Sequence, residues 1–137
     1  MSLYKICALM VIFITGCVDF YAMVIADLSW IGLLVLYVAE YPQYFLPLSV
    51  ISLFVIAFSE RMPTIVLGFG QGDWFYGSAL IVWIGAGRAA LLLGLASSLA
   101  LGYEAVKSLL LQKKMNWNKK VAWGGYASIA AILLLWP

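Results

Sequence analysis

The chain has 137 residues, of which 66% are hydrophobic and 10% are charged, against roughly half and a quarter in soluble domains. So few polar side chains cannot coat a water-soluble globule, and we expect one membrane-embedded domain over residues 1–137, with the lipid bilayer as its surroundings. The net charge is +2, and the basic residues do not form a basic surface with interspersed aromatic residues of the kind that binds nucleic acid. The chain has no histidine, so the cysteines Cys7 and Cys17 cannot complete a zinc site, and no metal or cofactor is expected.

Six apolar runs follow one another along the chain, and short segments between them hold almost every charge and proline. The runs cover residues 3–18, 28–39, 44–58, 74–87, 89–106 and 121–136. No run alternates in the manner of a strand, and a backbone that faces lipid must satisfy its own hydrogen bonds, so each run is predicted to be a helix. Several runs are shorter than the span of about 20 residues, so their ends would be tilted or hydrated. The predicted fold is an all-α, polytopic membrane helix bundle with about six transmembrane helices.

The first run allows two interpretations. Lys5 followed by ICALMVIFITGC resembles a lipoprotein signal, with Ile-Thr-Gly before Cys17 as the cleavage box. Lipoproteins usually continue into a soluble domain, whereas this chain continues into further apolar runs. We therefore favour a first transmembrane helix, and lipoprotein processing at Cys17 is the alternative.

The basic residues are unevenly distributed, which orients a membrane protein because Lys and Arg stay on the cytoplasmic side. If the chain crosses the membrane six times and its N-terminus is outside, only two basic residues, Lys5 and Arg88, lie on the outer side. The acidic residue Glu40 lies on that side too. The basic residues on the inner side are Arg61, Lys107, Lys113, Lys114, Lys119 and Lys120. The acidic residues on that side are Asp19, Asp27, Glu60 and Asp73.

Asp19 is the first candidate for chemistry, because an ionisable side chain in a membrane segment is costly unless it is paired or hydrated. It lies in CVDFYAMVIAD, between two apolar runs, where it has no evident capping role. Asp27, eight residues later, stands where it can cap the helix that begins LSWIGLL, and this simpler role is favoured for it.

Asp73 is the second candidate and follows the glycine-rich string GFGQG. Gly70 and Gly72 have no side chain, so another helix or an extended peptide could approach closely where Asp73 emerges. A membrane-embedded protease needs such an approach. A glycine-rich turn that ends in a helix-capping Asp gives the same string, so this motif alone is weak evidence.

Together the two segments resemble the type IV prepilin peptidases, intramembrane aspartic proteases with one Asp in a D-x6-P-[N/D] segment and another in G-x-G-D. Asp19 and Asp27 stand at the ends of the first segment, with Ala26 in place of its proline. Gly70–Asp73 match the second motif without a gap.

A third segment, VAWGGYA at 121–127, is similar to the family's entry to its last helix, with Ala122 and Gly125 in place of two prolines. The order and spacing of the three segments agree with the family over nearly the whole chain. The apolar FYAMVIA between Asp19 and Asp27 and the aromatic pair after Asp73 depart from the family pattern. These departures indicate a divergent member.

The resemblance implies that Asp19 and Asp73 are catalytic and that the substrate is a type IV prepilin or pseudopilin. The substrate would be cut after a glycine, between a short basic leader and an apolar helix, at the cytoplasmic face of a bacterial inner membrane. The residues expected to bind it are Asp27 and Glu60, by attraction to the basic leader, and Gly70 and Gly72, by close approach. Larger family members carry CxxC pairs and methylate the new N-terminus; no CxxC is present here, so we expect cleavage without methylation.

Two neighbouring carboxylates cannot both be ionised cheaply, so the pair would share one proton. The ionised carboxylate would take a proton from the attacking water, and the protonated one would hydrogen-bond the scissile carbonyl oxygen.

Two other functions remain open from the sequence. One is a small proton-coupled transporter, which needs a carboxylate near the bilayer centre, whereas the predicted topology puts every candidate carboxylate at one edge of the membrane. The other is a non-catalytic membrane assembly or adaptor protein, in which the aspartates would only cap helices. An assay for leader cleavage would distinguish the peptidase from both of these functions.

Overall fold

The computed structural model describes residues 2–23, 25, 27–59, 65–66, 69–111 and 121–136. Six α-helices lie within these ranges: α1 (Leu3–Ala22), α2 (Asp27–Glu40), α3 (Phe45–Ser59), α4 (Gln71–Ile84), α5 (Ala89–Leu110) and α6 (Trp123–Leu135). Short 3-10 turns, Pro42–Tyr44 and Ala86–Arg88, lead into α3 and α5. Each apolar run of the sequence overlaps one helix, so the predicted all-α fold is confirmed for the described part of the chain.

A two-residue antiparallel ladder was not predicted. Strand β1 (Ile65–Val66) pairs with strand β2 (Phe69–Gly70), with Ile65 opposite Gly70 and Val66 opposite Phe69. Two residues per strand are too few to produce an alternating pattern in the sequence. The ladder leads directly into α4, so it belongs to the entry of the G-x-G-D segment.

Among the described residues, two helices are long and apolar enough to cross a membrane, Leu3–Ala22 and, with the preceding 3-10 turn, Ala86–Leu110. The 20 residues of α1 extend over about 30 Å, which matches the hydrocarbon thickness of a bilayer. The other four helices have 13 to 15 residues and extend over about 20 to 22 Å. Length and composition therefore qualify two helices as spans, and the other four are shorter than a standard span.

The ends of α1 are defined by local hydrogen bonds. The Ser2 side chain caps the start by accepting from the Lys5 N–H at 3.2 Å, and its hydroxyl donates to Glu40 Oε2 at 2.7 Å. The helix ends where Met23 takes a left-handed conformation, with φ of 53°, while its N–H donates to the Asp19 carbonyl at 2.8 Å. Asp19 therefore lies inside the last turn of α1, and the start of α1 is joined to the end of α2.

Helix α6 is the centre of the bundle. It packs most extensively against α1, then against α5, and also against α4. Nine of its 13 residues are buried, as expected for a helix that other helices surround. Its interface with α1 contains small residues on both helices, including Gly16 on α1 and Ser128 on α6, and such residues let two helix backbones approach closely.

Contacts between distant elements define two ends of the bundle. At one end Asp19 contacts Gly125, and the Tyr103 and Tyr126 rings lie 6.1 Å apart; we call this the carboxylate end. At the other end Ser2 meets Glu40, and Arg88 Nη1 donates to the Leu134 carbonyl at 3.4 Å. Helices α1 and α5 therefore run in one direction, and α2, α4 and α6 run in the other.

Helices α2 and α4 lie side by side and parallel. Trp30 stacks on Phe75 with ring centroids 5.0 Å apart, and the Trp83 indole N–H donates to the Leu33 carbonyl at 2.8 Å. Helix α3 lies outside this pair, and a small pocket of about 60 Å³ separates it from α2 and α4; we call this the α3 pocket. Ser52 of α3 lines it.

Candidate active site

The Asp19 carboxylate is buried against the N-terminus of α6. Only 3% of Asp19 is exposed, and its Oδ2 accepts the N–H of Gly125 at 2.8 Å, with Gly124 as a second backbone donor. Ala122, which precedes α6, makes no side-chain capping hydrogen bond. Asp19 thus supplies from α1 the acceptor that α6 lacks, at the helix end where a negative charge is most favourable.

The expectation that Asp19 has no capping role is therefore wrong. A capping residue is normally adjacent to its helix in the sequence, whereas Asp19 lies 106 residues before Gly125, the donor of its hydrogen bond. Its burial has a structural explanation that is independent of any chemistry. A catalytic role for Asp19 must rest on additional observations.

Two glycines of α6 make room for Asp19 and its neighbours. A Cβ at Gly125 would lie 2.8 Å from the Phe20 ring. A Cβ at Gly124 would collide with the Ile25 side chain and lie 3.1 Å from Asp19 Oδ2. The segment VAWGGYA therefore needs glycine at both positions if α1 and the residues that follow it are to approach this closely.

Asp73 lies in the first turn of α4 and is partly buried. An acidic residue is favourable there because the helix N-terminus carries partial positive charge. Its side chain borders a pocket of about 250 Å³ between α4, α5 and α6, which we call the Asp73 pocket. The lining residues are Asp73, Trp74, Gly77, Ser78, Ile81, Leu93, Ser97 and Trp123.

Asp19 hydrogen-bonds the first turn of α6, and Asp73 shares a pocket with a residue of that turn. Trp123 lines the Asp73 pocket, and the two residues that follow it hold Asp19. Ile25 joins the two sides, because its side chain contacts Gly124 and lies 3.5 Å from the place of a Cβ on Gly72. The described lining of the Asp73 pocket does not include Asp19. Asp19 thus contacts the first turn of α6 directly, and Asp73 is related to that turn through the pocket that it shares with Trp123.

A buried hydroxyl cluster, formed by Thr15, Tyr76 and Ser128, was not predicted. Tyr76 Oη lies 2.7 Å from Ser128 Oγ, and the Thr15 side chain is also a hydrogen-bond partner of Tyr76. Ser128 Oγ donates in turn to the Gly124 carbonyl at 2.8 Å. The cluster therefore links α1, α4 and α6 within about one turn of Asp19. Polar hydroxyls within apolar runs were the available signal, since each needs a partner when buried.

The residues predicted to bind substrate have different surroundings. Asp27 is exposed at the start of α2, and its Oδ1 accepts the Trp30 indole N–H at 3.3 Å. A Cβ at Gly72 would make only ordinary contact with Ile25, so Gly72 does not mark a close helix approach, and the backbone of Gly70 pairs with Ile65. Glu60 lies outside the described residues. So do the basic residues Arg61, Lys113, Lys114, Lys119 and Lys120.

Comparisons with protein-family models, with curated proteins and with solved structures found no match. Within the described ranges, no three His, Cys, Asp or Glu side chains lie together as a metal-binding group would. The geometry around the first turn of α6 and the motifs that lead to it therefore indicate the function.

Proposed function

We propose that this chain is an intramembrane aspartic endopeptidase that removes the basic leader of type IV prepilins or pseudopilins. The observation that carries the proposal is that Asp19, 54 residues before Asp73, accepts a hydrogen bond from the first turn of α6, while Asp73 lines a pocket together with Trp123 of the same turn. The resemblance assigns catalysis to the same two residues. The third similar segment, VAWGGYA, supplies that turn.

The proposed topology has six membrane crossings, with the carboxylate end at the cytoplasmic face of a bacterial inner membrane. Asp19, Asp27 and Asp73 belong to that end, together with Lys107, whose ammonium group lies 5.6 Å from the Tyr103 ring centroid. Arg88 and Glu40 belong to the opposite end. Spans of 13 to 15 residues would require locally thinned or hydrated membrane, which would also bring water to a carboxylate site.

The proposed reaction is hydrolysis of one peptide bond by a carboxylate pair. With Asp19 Oδ2 engaged by Gly125, its Oδ1 would exchange the shared proton with water and with Asp73. The ionised carboxylate takes a proton from water as the water oxygen bonds to the scissile carbonyl carbon. The protonated carboxylate donates to the carbonyl oxygen, and a proton passes to the leaving amine as the C–N bond breaks.

The leader would be attracted by charge. Asp27 is exposed at the carboxylate end, beside the entry to α2, where a Lys or Arg of the leader can reach it from the aqueous side. Glu60 is proposed as the second attracting residue. Gly70 and Gly72 would let the extended peptide pass close to the backbone before Asp73.

The direct test is coexpression with a candidate prepilin, with leader removal followed as a gel mobility shift. We expect Asp19→Asn and Asp73→Asn each to abolish cleavage while the protein stays in the membrane. Glu40→Gln is the matched control, because it also converts a carboxylate to an amide but lies at the opposite end, beside Ser2. It should cleave at the wild-type rate. Full cleavage by either aspartate variant would remove that residue from the catalytic pair.

The second candidate function is a non-catalytic membrane assembly protein, which the capping of α6 by Asp19 favours. In that case Asp19 would be required for folding, and Asp73 would serve only the first turn of α4. Wild-type protein that leaves every tested prepilin uncut, while still copurifying with one, would support this candidate over the peptidase.

A further inference from the structure

The peptide group between Gly124 and Gly125 makes a hydrogen bond at each end. Its N–H, on Gly125, donates to Asp19 Oδ2 at 2.8 Å, and its carbonyl oxygen, on Gly124, accepts the Ser128 hydroxyl at 2.8 Å. A peptide group that accepts at its oxygen becomes a stronger donor at its nitrogen, because successive hydrogen bonds polarise one another. Ser128 therefore acts on the Asp19 carboxylate through this peptide group.

The hydrogen bond between Tyr76 and Ser128 has a defined direction. Ser128 has one hydroxyl proton and donates it to Gly124, so Tyr76 is the donor in the 2.7 Å contact between the two hydroxyls. The Ile12 carbonyl lies 3.4 Å from Tyr76 Oη, which is long for an O–H···O bond. Thr15 donates to a carbonyl of its own helix at 2.8 Å, so it lies beside this series of bonds.

We call this series the Tyr76 network; it consists of Tyr76, Ser128, the Gly124–Gly125 peptide group and Asp19. The network begins next to the second aspartate, because Tyr76 lies three residues after Asp73 on α4, about 4.5 Å along the axis. Residues three apart lie on the same side of a helix. The network therefore connects the helix that carries Asp73 to the carboxylate of Asp19.

Burial restricts the movement of these groups. Tyr76 is fully buried, and Ser128 and Asp19 are only 2% and 3% exposed. A buried hydroxyl cannot exchange its partner for bulk water, so the three side chains keep one arrangement unless the helices separate. The position of Asp19 is thereby defined relative to α4 as well as to α6.

We infer that Tyr76 is a positioning residue for the proposed cleavage, and that it fixes the Asp19 carboxylate relative to Asp73 through Ser128 and the Gly124–Gly125 peptide group. This inference rests on the proposed peptidase function. Tyr76 would not touch the substrate. It would keep the two carboxylates at the separation at which they share a proton.

The kinetic test compares Tyr76→Phe, Ser128→Ala and the double variant on a prepilin that the wild type cleaves. Each single variant should lower kcat about tenfold and leave KM unchanged, because a misplaced catalytic group slows the chemical step while the substrate still binds. The double variant should be no slower than Ser128→Ala, because Tyr76 acts only through Ser128. An unchanged kcat in Tyr76→Phe, or additive losses in the double variant, would overturn the inference.

Trp83→Phe is the matched control. It also removes a buried donor of α4, the indole N–H that donates to the Leu33 carbonyl at 2.8 Å, but this donor lies near the opposite end of the helix. The variant should lose stability and keep the wild-type kcat. An equal fall of kcat in Trp83→Phe would assign the effect of Tyr76→Phe to a general loss of packing and overturn the inference.

A measurement without substrate separates this inference from the peptidase itself. In the full chain with isotope-labelled glycine, the nuclear magnetic resonance signal of the Gly125 amide proton should move upfield in Tyr76→Phe, because its bond to Asp19 weakens while the ring at position 76 is kept. Gly94 of α5 is the internal reference and should not move. An unmoved Gly125 signal would overturn the inference even if cleavage by the wild type were established. A moved signal in a protein that cleaves no prepilin would support the network but overturn the peptidase, and with it the positioning role.

Discussion

Asp19 combines two roles that substitution can separate at the scale of a single residue. Its oxygen accepts backbone N–H groups at the start of α6, and its charge belongs to the proposed catalytic pair. An amide side chain retains an acceptor oxygen for the first role but cannot perform the second. A methyl side chain can do neither.

We therefore expect Asp19→Ala to be less stable than Asp19→Asn, although both are inactive. Loss of the acceptor leaves buried N–H groups unsatisfied, which costs about 1–3 kcal/mol of unfolding free energy. Denaturant titration of the purified protein in detergent measures the difference. Wild-type stability of Asp19→Ala would show that Asp19 does not hold α6.

Tyr76 is the second residue with a separable contribution. Tyr76→Phe removes the hydroxyl that lies 2.7 Å from Ser128 Oγ but keeps the buried ring, so we expect a loss of about 1 kcal/mol. Tyr21→Phe is the control, since Tyr21 is 95% exposed and its hydroxyl should contribute nothing to stability. Equal stabilities of the two variants would contradict a role for the hydroxyl cluster.

At the scale of elements, the helix pair α1 and α6 determines the site. A Cβ at Gly16 of α1 would lie 2.8 Å from the Ser128 Cβ, so Gly16→Ala would force the helices apart or twist one against the other. We expect a loss of about 1–3 kcal/mol from this overpacking, accompanied by reduced cleavage because Asp19 lies one turn further along α1.

The control for this prediction is Gly94→Ala in α5, where a Cβ would meet nothing within 4 Å. It should be neutral or raise stability by about 0.5–1 kcal/mol, since alanine is the better helix former. Both variants can be compared by thermal unfolding in the same detergent. A Gly16→Ala protein as stable as Gly94→Ala would show that the α1–α6 approach can relax at no cost.

The helices were predictable because each produces a continuous apolar run, and a run needs no partner to be recognised. The end of α1 was not. The first apolar run ends at residue 18, before the carboxylate of Asp19. Helix α1 nevertheless continues to Ala22, because the N–H of Gly125 satisfies that carboxylate. The compensating donor lies too far away in sequence for a local pattern to reveal it. The Asp73 pocket could not be predicted either, because the residues that line it come from three helices that are far apart in sequence.

At the scale of the whole molecule, the charge distribution predicted that Asp19, Asp27 and Asp73 share one side, and the contacts around α6 put Asp19 and Asp73 at one end of the bundle. Which side of a membrane that end faces stays a prediction. It follows only from the positions of Lys and Arg, many of which lie outside the described residues.

We expect single cysteines to reveal this orientation when Cys7 and Cys17 are replaced by Ser. Gln43→Cys, in the exposed turn before α3, should react with a membrane-impermeant maleimide in intact cells. Asp27→Cys, exposed at the carboxylate end, should react only after permeabilisation. The reverse pattern would place the carboxylates outside the cell and exclude a cytoplasmic site.

The distance in sequence between Asp19 and Gly125 also has a consequence for biosynthesis. The carboxylate lacks its backbone donors until the ribosome has added 106 further residues, which takes about 5–20 seconds at typical elongation rates. During that interval α1 has no partner for a charge that its helix must carry, so the nascent chain needs water, an insertase or protonation to hold it. The proposed carboxylate pair can form, and any proteolysis that depends on it can begin, only once α6 has been made.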